Sequence, residues 1–235
     1  MYNFFLSYSR DANIEIIENY IHCLELYGFK VWYDKVDVIL GKNINDELHN
    51  ILCQCKHWNG IILFFDKTYF MKEWCLKELD YSINNNLILY PILLNISKKD
   101  IPLEYKELND LNLCTIRTKN DIQYAIYKTL FLYIKTIYPP TVIYKLTNHL
   151  TFQHLIKTFM QQNQQDKNIL FTCDNIALCI KYLLRESNNL LSNDVKILYN
   201  IIHLLTQKFY IEGIATRFQI RIVVAATQIL INSYY

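Results

Sequence analysis

The first 137 residues alternate short apolar runs with segments of helical periodicity, and this alternation limits the folds open to the chain. The predicted strands lie in NFFLSYS, KVWYD, NGIILFFD, LILYPILLN and NLCTIRT. The predicted helices lie in NIEIIENYIHCLELYGF, INDELHNILCQCKH, EWCLKELDYSINN and DIQYAIYKTLFLYIKTIY. Strands that are apolar on both faces need a helical layer on each side, so the pattern predicts a flavodoxin-like α/β fold with a five-stranded parallel sheet.

The pattern changes after Tyr138, where Pro139 and Pro140 stop helix propagation and favour extended backbone. Only helical patterns follow, near residues 142–162, 174–186, 193–210 and 214–232. We therefore predict three parts: a first domain at 1–137, a linker at 138–142 and a small all-α bundle at 143–235. Oligomerisation and sensing are both open as roles for the bundle.

Composition and charge exclude several classes of protein. With 52% hydrophobic and 20% charged residues, the chain has enough apolar side chains to form packed cores. The net charge of +2 comes from dispersed basic residues, so no nucleic-acid partner is expected. Charged residues interrupt the longest apolar runs, so no membrane span is expected. Seven scattered cysteines and the lack of a secretory pattern at Met1 predict a reducing, cytoplasmic location.

Common nucleotide and metal motifs are not present in the sequence. The four glycines form neither G-x-G-x-x-G nor a phosphate-binding P-loop. Cys53, Cys55 and His57 in CQCKH occupy alternate positions of a predicted helix. Alternate residues of a helix point in different directions, and no second pair of ligands follows, so these residues do not form a metal site. We therefore expect neither a metal site nor a bound cofactor.

Ligands of open parallel sheets bind beyond the carboxyl ends of the strands. The loop after the first predicted strand begins with Ser9, Arg10 and Asp11, and the loop after the second covers residues 34–42. The segment after the third predicted strand covers residues 67–78 and ends in Glu78. These three segments are where the sequence predicts a binding crevice.

The same segments carry a resemblance to a known family. FFLSYSRDAN resembles the first conserved box of the Toll/interleukin-1 receptor (TIR) domain. GFKVWYDKVDVILGKNI is similar to its second strand and the long loop that follows, although Leu40 stands where family members often have proline or alanine. IILFFDKTYFMKEWCLKEL resembles the segment that ends in W-C-x-x-E-L in plant and many bacterial members. The three segments occur in the family's order and spacing, within residues 1–137.

This resemblance implies an enzyme that cleaves NAD between ribose and nicotinamide, with Glu78 as the essential carboxylate. The implied activity is that of an NAD nucleosidase or ADP-ribosyl cyclase, which makes ADP-ribose or a cyclic ADP-ribose-type signal in antiviral innate immunity. NAD is then the substrate and no cofactor is required. The chemistry allows a single carboxylate, because nicotinamide leaves as a neutral molecule and needs no general acid.

The resemblance also implies which residues contact the substrate. Arg10 is suited to a phosphate, since guanidinium and phosphate pair bidentately, although a solvated arginine is the alternative. Trp74 either stacks on the ligand or packs, and Cys75 shares the helical face of Glu78 as a pocket wall or a core residue. The predicted substrate-binding residues are Tyr8, Ser9, Arg10, Asp34, Gly41, Trp74 and Cys75.

Two hypotheses of different classes follow. The first is the NAD-cleaving enzyme, acting as a homo-oligomer through its TIR and helical regions, with a downstream effector that senses the product. The second is a non-catalytic TIR adaptor that acts only as a protein-protein interaction module. Glu78 in a W-C-x-x-E pattern favours the enzyme, because an adaptor needs no carboxylate there. The sequence does not separate hydrolysis from cyclisation.

Overall fold

The computed structural model divides into two compact units, Met1–Thr129 and Leu130–Tyr235. The predicted linker at 138–142 lies outside the described residues, so the predicted domain boundaries stay a prediction. The structure describes residues 2–33, 50–111, 113–137, 170, 172–178, 193–212 and 215–233.

The first unit is built on a five-stranded sheet in which every neighbouring pair of strands is parallel. The strand order is β2-β1-β3-β4-β5, which confirms the predicted parallel, flavodoxin-like sheet. The strands are β1 (Phe4–Tyr8), β2 (Val31–Trp32), β3 (Gly60–Phe65), β4 (Leu89–Leu94) and β5 (Cys114–Ile116).

Within the described residues, five longer helices and several short 3₁₀ segments connect or follow these strands. The segment Cys55–His57 falls at the end of the helix predicted over INDELHNILCQCKH, whose residues 50–54 are α-helical, whereas the other 3₁₀ segments were not predicted as such. Two of them begin with capping boxes, at Ser97 and Thr118. The helices are α1 (Ile14–Leu26), α2 (Glu73–Asn84), α3 (Ile122–Ile137), α4 (Asn193–Glu212) and α5 (Arg217–Ser233). The 3₁₀ segments are Cys55–His57, Tyr69–Met71, Lys98–Asp100, Leu103–Asp110 and Lys119–Asp121.

Strand β3 lies at the centre of the sheet, and all six of its residues are buried. Successive side chains of a strand point to opposite faces. Phe64 packs edge-on against Tyr20 of α1 at a ring distance of 5.2 Å. Leu63 and Phe65 belong to the core cluster that includes Leu79 of α2. The two helices therefore cover opposite faces of the sheet, which is why this strand is continuously apolar.

Gly60 opens β3 with a φ of +136°, a conformation that side chains rarely adopt. A Cβ at this position would lie 2.3 Å from the carbonyl oxygen of Ile88 and 2.8 Å from the ring of Tyr90. The strand therefore needs glycine here both for its backbone angle and for the close approach of β4.

The second unit is helical where the structure describes it. Helices α4 and α5 match the two C-terminal helices predicted at 193–210 and 214–232, and residues 172–178 are also helical. The helix predicted at 142–162 lies outside the described residues. Within the described part of the chain, no helix has both the length and the apolar character that crossing a membrane requires.

Candidate active site

A cavity of about 410 Å³ lies beside the carboxyl ends of β1 and β2. In this strand order β2 and β3 flank β1 on opposite sides, so the chain leaves β1 and β3 in different directions. Such a switch point opens a crevice at the carboxyl end of the sheet. The lining residues described come from β1, its following loop, the end of β2, and residues 71–78.

Glu78 lines this cavity from the second turn of α2, with only 8% of its surface exposed. Glutamate is rarely so buried, because removing a carboxylate from water is costly. Its negative charge acts on two buried neighbours. The pKa of the Cys55 thiol is raised to about 12, first by burial and second by Glu78. Burial, followed by Glu78, also raises the pKa of the Tyr69 hydroxyl well above its usual value.

Tyr69 is a residue that the sequence analysis missed, and it attaches α2 to β1. Its hydroxyl lies 2.7 Å from Ser7 Oγ and donates a hydrogen bond to the backbone oxygen of Cys75 at 3.2 Å. The Cys75 thiol in turn donates to the backbone oxygen of Tyr8 at 3.5 Å. These contacts fix the first turn of α2, one turn before Glu78. A tyrosine among apolar residues gives no sequence signal for such a role.

Ser9 is fully buried and does not line the cavity. Its hydroxyl lies 2.7 Å from Thr68 Oγ1, and the Thr68 hydroxyl donates to both Asp66 carboxylate oxygens at 3.0 Å. Ser9 Oγ also accepts a hydrogen bond from the backbone N–H of Asp11 at 3.2 Å. The geometry thus makes Ser9 a link between the loops after β1 and β3, and contact with substrate stays a prediction.

Arg10 lines the cavity from the loop after β1, and Lys72 lines it from the residue before α2. Lys72 Nζ forms an ion pair with Asp11 Oδ2 at 2.5 Å. Lys77 pairs instead with Glu73 Oε1 at 2.7 Å, one turn earlier in α2. Neither of these two ion pairs involves Glu78.

Trp74 and Cys75 also line the cavity. Trp74 is 36% exposed, and the Lys77 ammonium lies 4.9 Å from the centre of its ring. Cys75 is buried on the same side of α2 as Glu78. Asp34 and Gly41 lie outside the described residues. The structure therefore brings five of the predicted site residues to one cavity: Tyr8, Arg10, Trp74, Cys75 and Glu78.

Within the described residues, no group of three or more His, Cys, Asp or Glu is arranged to hold a metal ion. Cys53 is exposed whereas Cys55 is buried, so the two cysteines of CQCKH face different environments. What the cavity offers chemically is one buried carboxylate with cationic side chains in the same wall.

Two curated proteins are similar to part of this chain. The NAD(+) hydrolase TcpA of Theionarchaea archaeon (strain DG-70-1) is 25% identical over 104 residues, which are 43% of this chain and 31% of that protein. The 2′ cyclic ADP-D-ribose synthase BtTIR of Bacteroides thetaiotaomicron is 24% identical over 104 residues, 43% of this chain and 35% of that protein. The chain spans about a third of the length of these relatives.

Two solved structures also match the chain. The TIR domains of the activated Roq1 resistosome that recognises the effector XopQ are 18% identical, with a TM-score of 0.45 over 59% of this chain and 100% of that chain. The TIR domain of the Toll-related receptor TRR-2 of Hydra magnipapillata is 19% identical, with a TM-score of 0.43 over 56% of this chain and 97% of that chain.

The family comparison covers most of the first unit. The model of the TIR domain matches residues 4–130, which is more than half of the chain and includes all five strands. The match extends from the start of β1 into α3 and contains each of the three segments that resemble the family. The chain belongs to the TIR domain family.

Proposed function

We propose that this protein cleaves NAD at the bond between ribose and nicotinamide, with Glu78 as the catalytic carboxylate. The observation that carries the proposal is a nearly buried glutamate in the wall of a cavity at the switch point of the sheet. The names of two relatives, an NAD(+) hydrolase and a 2′ cyclic ADP-D-ribose synthase, support the same class of reaction.

The reaction requires little of the protein beyond electrostatic stabilisation. As the bond between C1′ and the pyridinium nitrogen breaks, its electron pair returns to nicotinamide, which leaves neutral. The ribose gains oxocarbenium character and positive charge at C1′. A carboxylate that is already oriented and largely shielded from water offsets that charge more strongly than water does. Glu78 fits this task because α2 and the Tyr69 contacts hold it in place.

The nucleophile that attacks C1′ then decides the product. Water gives ADP-ribose and releases one proton, whereas an atom elsewhere in the bound nucleotide gives a cyclic ADP-ribose-type molecule. Either product is suited to immune, antiviral defence: hydrolysis depletes NAD, and a cyclic product signals to a downstream effector. NAD is the substrate in both cases, no cofactor takes part, and the active protein is a homo-oligomer.

The test is chromatography of the products after purified protein is incubated with NAD. Glu78→Gln keeps the shape of the side chain and removes its charge, so kcat should fall by about 10² to 10³. Asp80→Asn is the matched control, because Asp80 is an exposed carboxylate on the same helix that bonds Tyr105 and does not line the cavity. Glu73 is a poorer control because it lines the cavity.

Asp80→Asn should stay within about twofold of the wild-type rate, since its charge is solvated and screened. Thermal unfolding of both variants checks that the fold is kept. If Glu78→Gln cleaves NAD at the wild-type rate, Glu78 is not the catalytic carboxylate. No cleavage by the wild-type protein under any assembly condition would reject the enzyme and leave the interaction module.

A further inference from the structure

Four charged residues line the cavity: the buried Glu78, the exposed Glu73, which pairs with Lys77, and the cationic Arg10 and Lys72. Arg10 is exposed in the loop after β1, whereas Lys72 immediately precedes the first turn of α2. The two cations come from separate segments that only the folded sheet brings together. This distribution matches a ligand with a positive or developing positive charge at one end and phosphate at the other.

Lys72 is held by an internal anion, the Asp11 carboxylate, at 2.5 Å. The side chains of Lys72 and Asp11 are 43% and 56% exposed, so water screens their attraction and the pair is weak. The loop carrying Asp11 is fixed, since its backbone N–H donates to the buried Ser9. The backbone position of Asp11 therefore does not depend on its ion pair with Lys72.

A phosphate group competes well for this lysine. Each phosphate of a dinucleotide carries negative charge and accepts charge-assisted hydrogen bonds, which are stronger than neutral ones. Glu78 lies six positions after Lys72, and both residues line the same cavity. Six positions of a helix rise about 9 Å at 1.5 Å per residue, and the long, flexible lysine side chain would let its ammonium reach the 5′-phosphate of a nucleotide whose ribose C1′ is held at Glu78.

We propose that Lys72 binds the 5′-phosphate of the nicotinamide nucleotide, and that Asp11 is the internal competitor that holds Lys72 when the cavity is empty. The inference rests on the proposed function, because it places the scissile ribose at Glu78. It assigns opposite roles to the two members of one ion pair. Lys72 strengthens the binding of phosphate-containing ligands, and Asp11 weakens it.

Because the two residues have opposite roles, substituting them should change the affinity for phosphate-containing ligands in opposite directions. Lys72→Gln should raise the Kd for ADP-ribose, measured by calorimetry, by about tenfold, the loss expected for one charge-assisted hydrogen bond. Asp11→Asn should lower the same Kd by about two- to threefold, because an exposed ion pair is weak. A merely structural ion pair predicts that both substitutions act in the same direction.

Lys119→Gln is the matched control. Lys119 forms an ion pair of the same 2.5 Å length with Glu15, is similarly exposed, and does not line the cavity. This variant should leave the Kd for ADP-ribose unchanged. It separates an effect of the site from the general effect of removing one positive charge.

A substrate series locates the contact. Lys72→Gln should raise KM about tenfold for NAD and for nicotinamide mononucleotide, and leave KM for nicotinamide riboside unchanged, since the riboside has no phosphate. ADP-ribose binding that is unchanged in Lys72→Gln, or an equal loss with the riboside, would overturn the inference. If ADP-ribose binding depends on Lys72 but the wild-type protein cleaves no NAD, the phosphate contact stands and the proposed reaction fails.

Discussion

Tyr69→Phe tests whether the hydroxyl that joins β1 to α2 stabilises the first unit. The substitution keeps the ring, which packs edge-on against Phe65 at 4.8 Å between centroids. It removes the hydrogen bonds to Ser7 and to the backbone oxygen of Cys75. Because Ser7 is 1% exposed, water does not readily replace the lost partner.

The expected cost at pH 8 is about 2 kcal/mol in the free energy of unfolding. A buried hydrogen bond contributes about 1 kcal/mol net, and a buried group that loses its partner costs about 1 to 3 kcal/mol. Replacing both hydroxyls removes that second penalty. The double variant Ser7→Ala, Tyr69→Phe should therefore be about 1 kcal/mol more stable than the sum of the single variants predicts.

Alkaline pH provides a second, independent readout. The native protein keeps the proton of Tyr69, whose pKa is raised well above its usual value by burial and by Glu78, whereas the unfolded chain loses it near pH 10. The stabilisation is thus complete below pH 10 and falls by about 1.4 kcal/mol per pH unit above it. At pH 11 the difference in unfolding free energy between the wild type and Tyr69→Phe should shrink to about 0.6 kcal/mol. The wild-type protein loses this stabilisation as the pH rises, whereas the variant has no hydroxyl at position 69 to lose it.

Urea unfolding followed by tryptophan fluorescence is the appropriate assay. The chain has three tryptophans, at positions 32, 58 and 74, and all of them lie in the first unit. The signal therefore reports on the sheet without interference from the second unit. A cost below 0.5 kcal/mol, or the same deficit at pH 8 and pH 11, would refute the reasoning, since the hydroxyl would then be neither well bonded nor shielded.

Three further predictions concern other parts of the chain. Arg10→Ala should raise KM for NAD with little change in kcat, because a phosphate contact stabilises the ground state and the transition state equally; a collapse of kcat alone would contradict it. Gly60→Ala should cost about 3 kcal/mol in urea unfolding, more than Gly28→Ala, because only Gly60 combines positive φ with a clash against Ile88. A chain ending at Tyr138 should retain the folded sheet but lose NAD cleavage and oligomeric mass in light scattering; full activity as a monomer would exclude a role of the helical region in assembly.

The sequence alone determined the layered architecture of the first unit. Continuous apolar character in GIILFF required cover on both faces, and the 3.6-residue period of the flanking segments supplied it. Gly28, with φ of +92°, follows the end of α1 at Leu26 and its C-cap Tyr27, where glycine commonly terminates a helix. These features depend on neighbours in the sequence, so a local pattern is sufficient to predict them.

Sequence patterns were less informative for short and isolated elements. The 3₁₀ segment Leu103–Asp110 has a mixed, mostly polar pattern, and it escaped prediction because so short a turn has no repeating apolar face. Strand β2 was predicted over KVWYD, of which residues 30–33 are described, and within these the strand is Val31–Trp32, the two residues that pair with β1. Strand ends are set by the partner strand, which the strand's own sequence does not specify.

The position of the cavity followed from the rule that ligands bind at the carboxyl ends of parallel strands, and the structure places Glu78 and Arg10 in its wall. The environment of each side chain did not follow from the sequence. Ser9, expected at the substrate, is buried against Thr68, 59 residues further along the chain. Lys72, in the wall of the cavity, pairs with Asp11 of the loop after β1.

These contacts share one physical cause. Ser7 meets Tyr69, and Asp11 meets Lys72, because β1 pairs in parallel with β3, which brings the ends of these two strands together. The apolar pattern fixes which residues are buried, since burial is a property of each segment and its period. It does not fix which buried hydroxyls or exposed charges meet, because that depends on strand order and register, and these are decided by packing of the whole unit.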